Sequence, residues 1–257
     1  MRKKGIFIVF EGPDRSGKST QAKLLKKWFE KKGRKVVLTR EPGGTKLSEN
    51  IRKILLDPHN TISSLSELFL YEAARAQHTS DIIMPALKKG YVVISDRFTL
   101  ASIAYQGYGR KLPIKTVETL NKVATNGLKP AITIILNIPD RIFNERERLA
   151  EKILGVDRIE SASSNFRKRV NKAYKILSKK PGVIKINATN SIEAIQTELQ
   201  HHTEILNSIT GKSGKKRKKP QNKSLVLGRN GIKTKTKLSP AIKNVKKRKK
   251  AKHKLSS

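Results

Sequence analysis

Short, predominantly apolar runs alternate with longer stretches in which apolar residues recur every three or four positions. The short runs have the composition of strands that are buried on both faces. They cover residues 6–10, 36–39, 91–95, 132–138 and 183–187. Because helical patterns separate these runs, the sequence predicts one α/β domain over residues 1–210, in which helices flank both faces of a five-stranded parallel sheet.

The stretches between these runs predict the helices. Helical spacing of apolar residues covers residues 21–30, 47–56, 66–87, 114–126, 159–178 and 191–206. The pattern over residues 66–87 is long and allows a break near His78. Ser191 is predicted to cap the last helix, because a serine side chain accepts hydrogen bonds from the free N–H groups of a first turn.

Residues 12–19, Gly-Pro-Asp-Arg-Ser-Gly-Lys-Ser, match the phosphate-loop pattern between the first predicted strand and the first predicted helix. The glycines allow backbone N–H groups to converge on phosphate oxygens, and the helix N-terminus adds partial positive charge. The Lys18 side chain can reach the outer phosphates, and the Ser19 hydroxyl can bind Mg²⁺. The predicted ATP-binding residues are Gly12, Pro13, Asp14, Arg15, Ser16, Gly17, Lys18, Ser19 and Thr20.

Polar residues also follow the second and third predicted strands. Residues 40–45 read Arg-Glu-Pro-Gly-Gly-Thr, and residues 96–98 read Asp-Arg-Phe. Open α/β sheets bind ligands outside the carboxyl ends of their strands. Arg40 and Arg97 therefore stand where they can bind the phosphate of an acceptor molecule, and phosphoryl transfer depends on such positioning and charge stabilisation.

The composition excludes several classes of protein. There are no cysteines, which excludes disulfides and thiolate metal sites and fits a reducing compartment, so we expect a cytoplasmic location. No apolar stretch is long enough for a membrane span, and the run behind the basic N-terminus is too short for a secretory signal. His78, His201 and His202 are interpreted as surface or packing residues of helices and not as metal ligands.

The net charge of +37 is unevenly distributed. Residues 211–257 hold 19 of the 57 Lys and Arg residues and no Asp or Glu, which leaves a net charge of +18 on the rest of the chain. A segment with so few apolar side chains cannot offset its chain entropy, so a disordered tail is predicted. Three interpretations of the tail stay open: a solvated extension, an arm that binds nucleic acid, and a basic targeting signal.

Six motifs in this order and spacing resemble the thymidylate kinase family. They are the phosphate loop with Asp14 and Arg15 inside it, and residues 40–45, 73–78, 96–98, 102–107 and 157–160. The resemblance spans about residues 4–208 and implies a P-loop kinase fold with a mobile lid at about residues 140–160, usually as a homodimer. It also implies a reaction in which the γ-phosphate of ATP, with Mg²⁺, moves onto dTMP.

The same resemblance implies which residues hold the nucleoside part of dTMP. Asp14 would contact the sugar 3′-hydroxyl, Tyr71 would stack on the base, and Arg75 would hydrogen-bond a thymine carbonyl. Three further residues would line the base and sugar pocket: Ser102, Tyr105 and Gln106. Tyr105 would crowd a ribose 2′-hydroxyl. This chain has Tyr71-Glu72 where the family usually has Phe-Tyr, and the helical spacing of Tyr71 from Leu68 also fits a core position.

The resemblance further implies a catalytic set and a metal site. The catalytic set is Lys18, Arg15, Asp14 and Arg97. Arg97, together with Arg40, would hold the dTMP phosphate. Asp96 would act on Mg²⁺ through water, next to Ser19, although a brace for Arg97 is an alternative role for Asp96.

The family divides by the position of its catalytic arginine. One class carries the arginine in the phosphate loop, where this chain has Arg15. Residues 150–156 of the implied lid contain only one basic residue, Lys152, so the chain resembles that class. Arg146 and Arg148, which alternate with glutamates, are interpreted as a solvated helix face.

Two other functions stay open from the sequence alone. One is a P-loop kinase that acts on a deoxynucleoside or on a different monophosphate. The other is a nucleic-acid-binding protein on the same fold that has lost catalysis. The intact Lys18, Ser19 and Arg97 argue against the second.

Overall fold

Five parallel strands form the centre of the fold, in the order β2-β3-β1-β4-β5. The computed structural model describes residues 4–154, 157–159 and 161–211. The strands are β1 (Ile6–Glu11), β2 (Val36–Arg40), β3 (Val92–Asp96), β4 (Ile132–Asn137) and β5 (Val183–Asn187). Each begins and ends within one residue of its predicted range, so the predicted α/β fold with a five-stranded parallel sheet is confirmed.

The register of the sheet brings the functional loops to one edge. In the central strands, Phe10 of β1 lies beside Asp96 of β3, and Arg40 of β2 lies beside the same Asp96. All of these residues are at the carboxyl ends of their strands. The phosphate loop after β1 and the polar segments after β2 and β3 therefore converge, as expected for a ligand site of an open α/β sheet.

Nine α-helices and two π-helical segments are found in the described part of the chain. The helices are α1 (Lys18–Lys31), α2 (Lys46–Leu56), α3 (Ser64–His78), α4 (Met84–Lys88), α5 (Thr99–Ser102), α6 (Ile114–Ala124), α7 (Asp140–Leu154), α8 (Ser164–Leu177) and α9 (Ile192–Gly211). The π-helical segments are Thr79–Ile83 and Ile103–Gly109. Near His78, where a break was predicted, the helix instead continues through the first π-helical segment into α4, so only its hydrogen-bond pattern changes.

Side-chain caps explain where several helices begin. The hydroxyl oxygens of Thr45, Ser63 and Ser163 accept the N–H group three residues ahead, at the starts of α2, α3 and α8. Ser191 does the same for α9, where its Oγ accepts the Ala194 N–H at 3.1 Å, which confirms it as the cap. Such a cap contributes about 1 kcal/mol to helix stability.

The predicted start of the helix at residue 159 is wrong. Residues 157–159 form a turn instead, in which the Asp157 carboxylate accepts the Ile159 N–H at 2.8 Å. Helix α8 begins only at Ser164, after its Ser163 cap. Ile159 is buried in a hydrophobic cluster with Tyr105 and Phe166 although it belongs to this turn, so its apolar side chain matched the helical spacing without being in the helix.

The side chains of β1 alternate between two hydrophobic cores. Ile6, Ile8 and Phe10 pack with α1 and α9 on one face, while Phe7 and Val9 pack with Ile83 and Phe98 on the other. Alternation with a period of two is the geometry of a strand. The prediction that helices cover both faces of the sheet is therefore confirmed.

Parts of two predicted segments lie outside the described residues. These are positions 155, 156 and 160 of the lid and all of the basic tail beyond residue 211. Within the part of the chain that the structure describes, no helix combines the length and the apolar character needed to span a membrane.

Candidate active site

The phosphate loop connects β1 to α1 and turns on two glycines. Gly12 has a φ of 135°, and a Cβ at this position would lie 2.6 Å from the carbonyl oxygen of Leu136 in β4. Gly17, the N-cap of α1, has a φ of 92°. Both conformations favour glycine. The loop lines a cleft of about 420 Å³, together with Lys18, Ser19, Thr20, Arg40, Arg52, Asp96 and Arg97.

Lys18 is buried at the floor of this cleft. Its Nζ donates a hydrogen bond to the Pro13 carbonyl oxygen at 2.7 Å. Burial lowers the pKa of Lys18 to about 8, and the positive charge of Arg97 acts in the same direction, against the carboxylates of Asp96 and Asp14. An incoming phosphate oxygen can replace the carbonyl oxygen as the partner of this ammonium group.

Two oxygen groups meet at the position where a metal would lie. The Ser19 hydroxyl, in the first turn of α1, donates to Oδ2 of Asp96 at 2.5 Å. Mg²⁺ prefers oxygen ligands and is usually held by one or two protein groups, several waters and substrate phosphates. This pair fits such a metal. No group of three His, Cys, Asp or Glu side chains among the described residues forms a metal cage.

Arg97 joins the phosphate loop to the rest of the site. Its Nη1 donates to the Gly12 carbonyl at 3.0 Å and to the Tyr174 hydroxyl at 2.9 Å. Its Nη2 donates to the Tyr105 hydroxyl at 3.1 Å and to the Asp14 carboxylate. The Arg97 backbone has a φ of 74°, which is rare for a residue with a side chain. Three other segments of the fold, namely the phosphate loop, the π-helical segment Ile103–Gly109 and α8, thus determine where this guanidinium points.

Asp14 is ionised by its neighbours. It accepts hydrogen bonds from Arg97 and, at 2.7 Å, from the Tyr105 hydroxyl. Burial acts to raise the pKa of Asp14, but the charges of Arg97 and Lys18 and these hydrogen bonds outweigh it and lower the pKa to about 2. Asp14 is therefore a carboxylate at every physiological pH.

Glu11 is a residue of the site that the sequence analysis missed. It ends β1 with no exposed surface. One carboxylate oxygen accepts the N–H groups of Phe98 and Ala101 at 2.9 and 3.2 Å, and the other accepts the Tyr174 hydroxyl at 3.1 Å. Burial raises the pKa of Glu11 to about 7, against the opposing charge of Arg97. Its signal in the sequence was a carboxylate at the end of an otherwise apolar strand.

A second cavity adjoins the phosphate cleft. It is lined by six of the eight predicted dTMP-binding residues: Asp14, Tyr71, Arg97, Ser102, Tyr105 and Gln106. The seventh, Arg40, lines the phosphate cleft, where its guanidinium donates to Glu49 at 3.1 Å. The two compartments share Asp14 and Arg97, which therefore stand at their junction.

The structure places Arg75, the eighth of these residues, behind the cavity wall. Its guanidinium is fully buried, and its partners are Glu41, Glu72, Ser102, Asn121 and the Phe98 carbonyl. The bond to the Ser102 hydroxyl is 2.8 Å long, and Ser102 lines the cavity. In this arrangement Arg75 supports the wall, and contact with a base requires it to exchange one of these bonds.

His78 is a buried packing residue. Its Nδ1 lies 3.0 Å from the Glu41 carboxylate, and its Nε2 lies 2.6 Å from the Thr39 hydroxyl. Glu41 also binds Arg75, so the segment after β2 is fixed to α3 by one carboxylate. Gly44 has a φ of 88° directly beside this histidine, where a Cβ would lie 2.7 Å from the ring.

Arg52 is a second cation that the sequence analysis missed. It lies on α2, lines both compartments and donates to the Pro42 carbonyl at 3.1 Å. Its direction follows from Ser48, which lies one turn earlier on α2. Residues four positions apart share a helix face, and Ser48 is buried with its hydroxyl on the Ala74 carbonyl of α3. A cation on that face points toward the interior.

The interpretation of Arg146 as part of a solvated face is wrong. Arg146 is half-buried, and its Nη1 donates to the carbonyl oxygen of Arg15 in the phosphate loop at 3.1 Å. Its Nη2 lies 3.4 Å from the Ala188 carbonyl after β5. Arg148 is exposed, as expected. Charge alternation alone did not reveal that the two arginines lie on different faces of α7.

Comparison with known proteins identifies relatives of the chain. The thymidylate kinase family model matches residues 10–199. Thymidylate kinase of Halothermothrix orenii is 43% identical over 198 residues, which cover 77% of this chain and 96% of that protein. Thymidylate kinase of Thermosipho africanus is 45% identical over 196 residues, which cover 76% of this chain and 96% of that protein.

The fold is similar to a solved structure as well. The crystal structure of thymidylate kinase from Ehrlichia chaffeensis superposes with a TM-score of 0.63 at 32% identity, and covers 78% of this chain and 99% of that one. Family model, relatives and fold agree over nearly the whole described part of the chain. The chain belongs to the thymidylate kinase family.

Proposed function

We propose that this chain transfers the γ-phosphoryl group of ATP to dTMP, which yields dTDP and ADP. An oxygen of the dTMP 5′-phosphate attacks the γ-phosphorus, and the bond from that phosphorus to the β–γ bridging oxygen breaks. The product needs one further phosphorylation to become dTTP for DNA replication. The observation that carries the proposal is the junction of two compartments at Arg97, one built by the phosphate loop and one lined by six of the predicted dTMP-binding residues.

The donor side of the site supports this reaction. The backbone of residues 12–19 binds the ATP phosphates, and Lys18 and Arg15 add cations beside the transferring group. Ser19 and Asp96 would hold Mg²⁺, which neutralises charge on the donor phosphates when it is bound. Arg146 fixes the Arg15 backbone through its carbonyl oxygen.

The acceptor side supports dTMP as the substrate. Arg97, with Arg40 and Arg52, supplies cations for a dianionic 5′-phosphate at the junction. In this proposal Asp14 binds the sugar 3′-hydroxyl, and Tyr105, whose hydroxyl donates to Asp14 at 2.7 Å, excludes a 2′-hydroxyl. Tyr71 stacks on the base in the cavity.

A coupled kinase assay with ATP and Mg²⁺ tests the proposal. The panel contains dTMP, dUMP, dCMP, UMP and thymidine, and we expect dTMP to have the highest kcat/KM. Lys18→Ala is the control for contaminating kinases and should be inactive. Preference for thymidine or for another monophosphate would show that the chain is a P-loop kinase with a different acceptor.

We further propose that the enzyme works as a homodimer in the cytoplasm. Apolar side chains on neighbouring helices α2 and α3 are about half exposed, at 51% for Leu47, 47% for Ile54, 47% for Leu65 and 51% for Phe69. Leu65 and Phe69 are one turn apart on α3, so they share a face. A second copy of the chain would cover this surface. Light scattering tests the dimer, and should give twice the chain mass for the wild type and the mass of one chain for Phe69→Lys. Cell fractionation tests the cytoplasmic location.

The tail gives a second proposal, that residues 211–257 bind nucleic acid. The supporting observation is the block of 19 cations without a carboxylate. Each neutralised phosphate of duplex DNA contributes a slope of about −0.9 in log affinity against log salt. Full-length protein and a truncation after Gly211 would be titrated with labelled DNA and RNA at several salt concentrations. Equal, weak binding by both would discard this role.

A further inference from the structure

A buried carboxylate lies behind the base cavity and has no role in the transfer itself. Glu67 of α3 has no exposed surface. It precedes Tyr71 and Arg75 by one and two helical turns, so the three side chains project from the same face of α3. A fully buried carboxylate is costly unless it is paired and hydrogen-bonded. The partners of Glu67 therefore explain why it is there.

Three side chains from two other segments surround Glu67. Oε1 accepts the Gln106 Nε2–H at 2.9 Å and the Arg110 Nε–H at 3.1 Å. Oε2 accepts an Arg110 Nη2–H at 2.9 Å and lies 2.8 Å from Nη2 of Arg158. Burial acts to raise the pKa of Glu67, but these hydrogen bonds and charges outweigh it and lower the pKa. The ionised carboxylate can only accept hydrogen bonds.

This environment fixes the orientation of the Gln106 amide. A side-chain amide has a donor end and an acceptor end, and both orientations have the same shape. Because Glu67 accepts only, it holds the NH₂ end of Gln106. The carbonyl end, Oε1, is left for the cavity that Gln106 lines.

We propose that Glu67 is a positioning residue for base selection, which holds the Gln106 carbonyl toward the base so that the site accepts a pyrimidine with an N3–H donor. The inference rests on the proposed function. Thymine and uracil both have N3–H. Cytosine has an acceptor lone pair at N3, which faces another acceptor in this site and leaves Gln106 unpaired. Sites built around a hydrogen bond reject ligands that cannot make it.

The test is the ratio of kcat/KM for dTMP to kcat/KM for dCMP in Glu67→Gln. A glutamine at position 67 can donate or accept, so the Gln106 amide is free to turn its NH₂ end to the base. We expect the ratio to fall at least about tenfold, the value of one hydrogen bond of about 1.4 kcal/mol. A ratio of rates from one preparation does not depend on the fraction of folded enzyme. The ratio for dTMP to dUMP should stay within about twofold, because both bases carry N3–H.

Two control variants separate selection from packing. Arg110→Gln removes two of the hydrogen bonds of Glu67 but leaves its bond to Gln106, so the dTMP to dCMP ratio should not change. In a Gln106→Ala background, Glu67→Gln should no longer alter the ratio. If Glu67→Gln does not fold, Glu67→Asp keeps the charge for Arg110 and Arg158 while it withdraws the carboxylate from Gln106, and should lower the ratio to an intermediate value.

The outcomes are distinguishable. Equal loss of activity with dTMP and dCMP in Glu67→Gln would overturn the inference and leave the proposed function intact. A change of the same size in Arg110→Gln would show that packing alone is responsible, and would overturn it as well. A wild-type chain without activity on dTMP would overturn the proposed function and this inference together.

Discussion

At the scale of single residues, the site is defined by cations whose positions are set by carbonyl and carboxylate oxygens. Lys18 donates a hydrogen bond to the Pro13 carbonyl, and Arg97 donates hydrogen bonds to Asp14 and to the Gly12 carbonyl. Arginine side chains carry several donors in a fixed plane, so such contacts determine orientation as well as position. The orientation of Arg97 therefore depends on neighbours that are remote in the sequence.

We expect Arg15→Ala to lower kcat far more than it raises KM. Arg15 lines the phosphate cleft and sits in the loop itself, so it can act as an arginine finger supplied by the same chain. Such residues contribute roughly 10³–10⁵ to the rate of phosphoryl transfer. Steady-state kinetics with dTMP measure the effect. Lys152→Ala is the matched control, and an equal loss in that variant would assign the role to the lid.

The free energy of unfolding should depend on pH through Glu11. Its pKa is raised from 4.5 to about 7, so between these values the native state keeps a proton that the unfolded chain has lost. The contribution of the protonated Glu11 side chain to the free energy of unfolding is complete below pH 4.5 and is lost as the pH rises through about 7. The difference in unfolding free energy between the wild type and Glu11→Gln should therefore fall by about 3 kcal/mol over this range.

Urea unfolding of both proteins at several pH values measures this difference. Glu118→Gln, which removes a half-exposed carboxylate paired with Lys180, is the control and should give a nearly constant difference from the wild type. If the difference in unfolding free energy between Glu11→Gln and the wild type did not change with pH, the raised pKa of Glu11 would be contradicted.

At the scale of elements, the site depends on the contact between α8 and the π-helical segment Ile103–Gly109. That segment presents Tyr105, and α8 presents Tyr174, and the two hydroxyls hold Arg97 from two sides. The elements approach closely at Gly109, where a Cβ would lie 2.6 Å from the Phe166 ring and 3.0 Å from Val170.

Gly109→Ala should separate these elements. We expect a loss of stability of about 1–3 kcal/mol, the usual cost of overpacking, and a higher KM for dTMP, because Tyr105 and Tyr174 move apart. Thermal unfolding and steady-state kinetics measure the two effects. Gly182→Ala is the control, since its φ of 79° adds backbone strain but its Cβ meets open space. Unchanged kinetics in Gly109→Ala would show that the close packing of α8 against this segment does not control the site.

The strands were predictable because each is an apolar run of the length that a buried parallel strand needs, and the sheet confirms them to within one residue. Helix boundaries were less certain, since the turn around Ile159 places an apolar side chain in the core without a helix. The π-helical segments could not be predicted, because no spacing of apolar residues in the sequence distinguishes them from α-helices. The buried carboxylates Glu11 and Glu67 were not predicted as site residues, because their roles depend on partners far along the chain.

At the scale of the whole molecule, every described residue of the site lies between Glu11 and Tyr174, well before the basic tail. The part of the chain that matches the family model ends at residue 199. Helix α9 runs to Gly211 and contributes Leu199 to the core beside α1. A cut after Gly211 therefore keeps the core and the site.

Truncation after Gly211 should leave kcat and KM for ATP and dTMP within about twofold of the full chain at moderate salt. The reason is that the tail supplies no predicted site residue. The coupled kinase assay, run on both proteins at two salt concentrations, measures the effect. A large loss of kcat in the truncated protein would show that the tail takes part in catalysis.

The bond between Asp14 and Arg97 has a consequence for inhibitor design. Asp14 already accepts a hydrogen bond from the guanidinium, so the protein itself supplies an anionic partner for Arg97. A monoanionic compound aimed at Arg97 must displace a carboxylate of equal charge and gains little. Compounds that leave this pair intact and bind the base cavity beside it avoid that competition, so neutral scaffolds are the better starting point for this pocket.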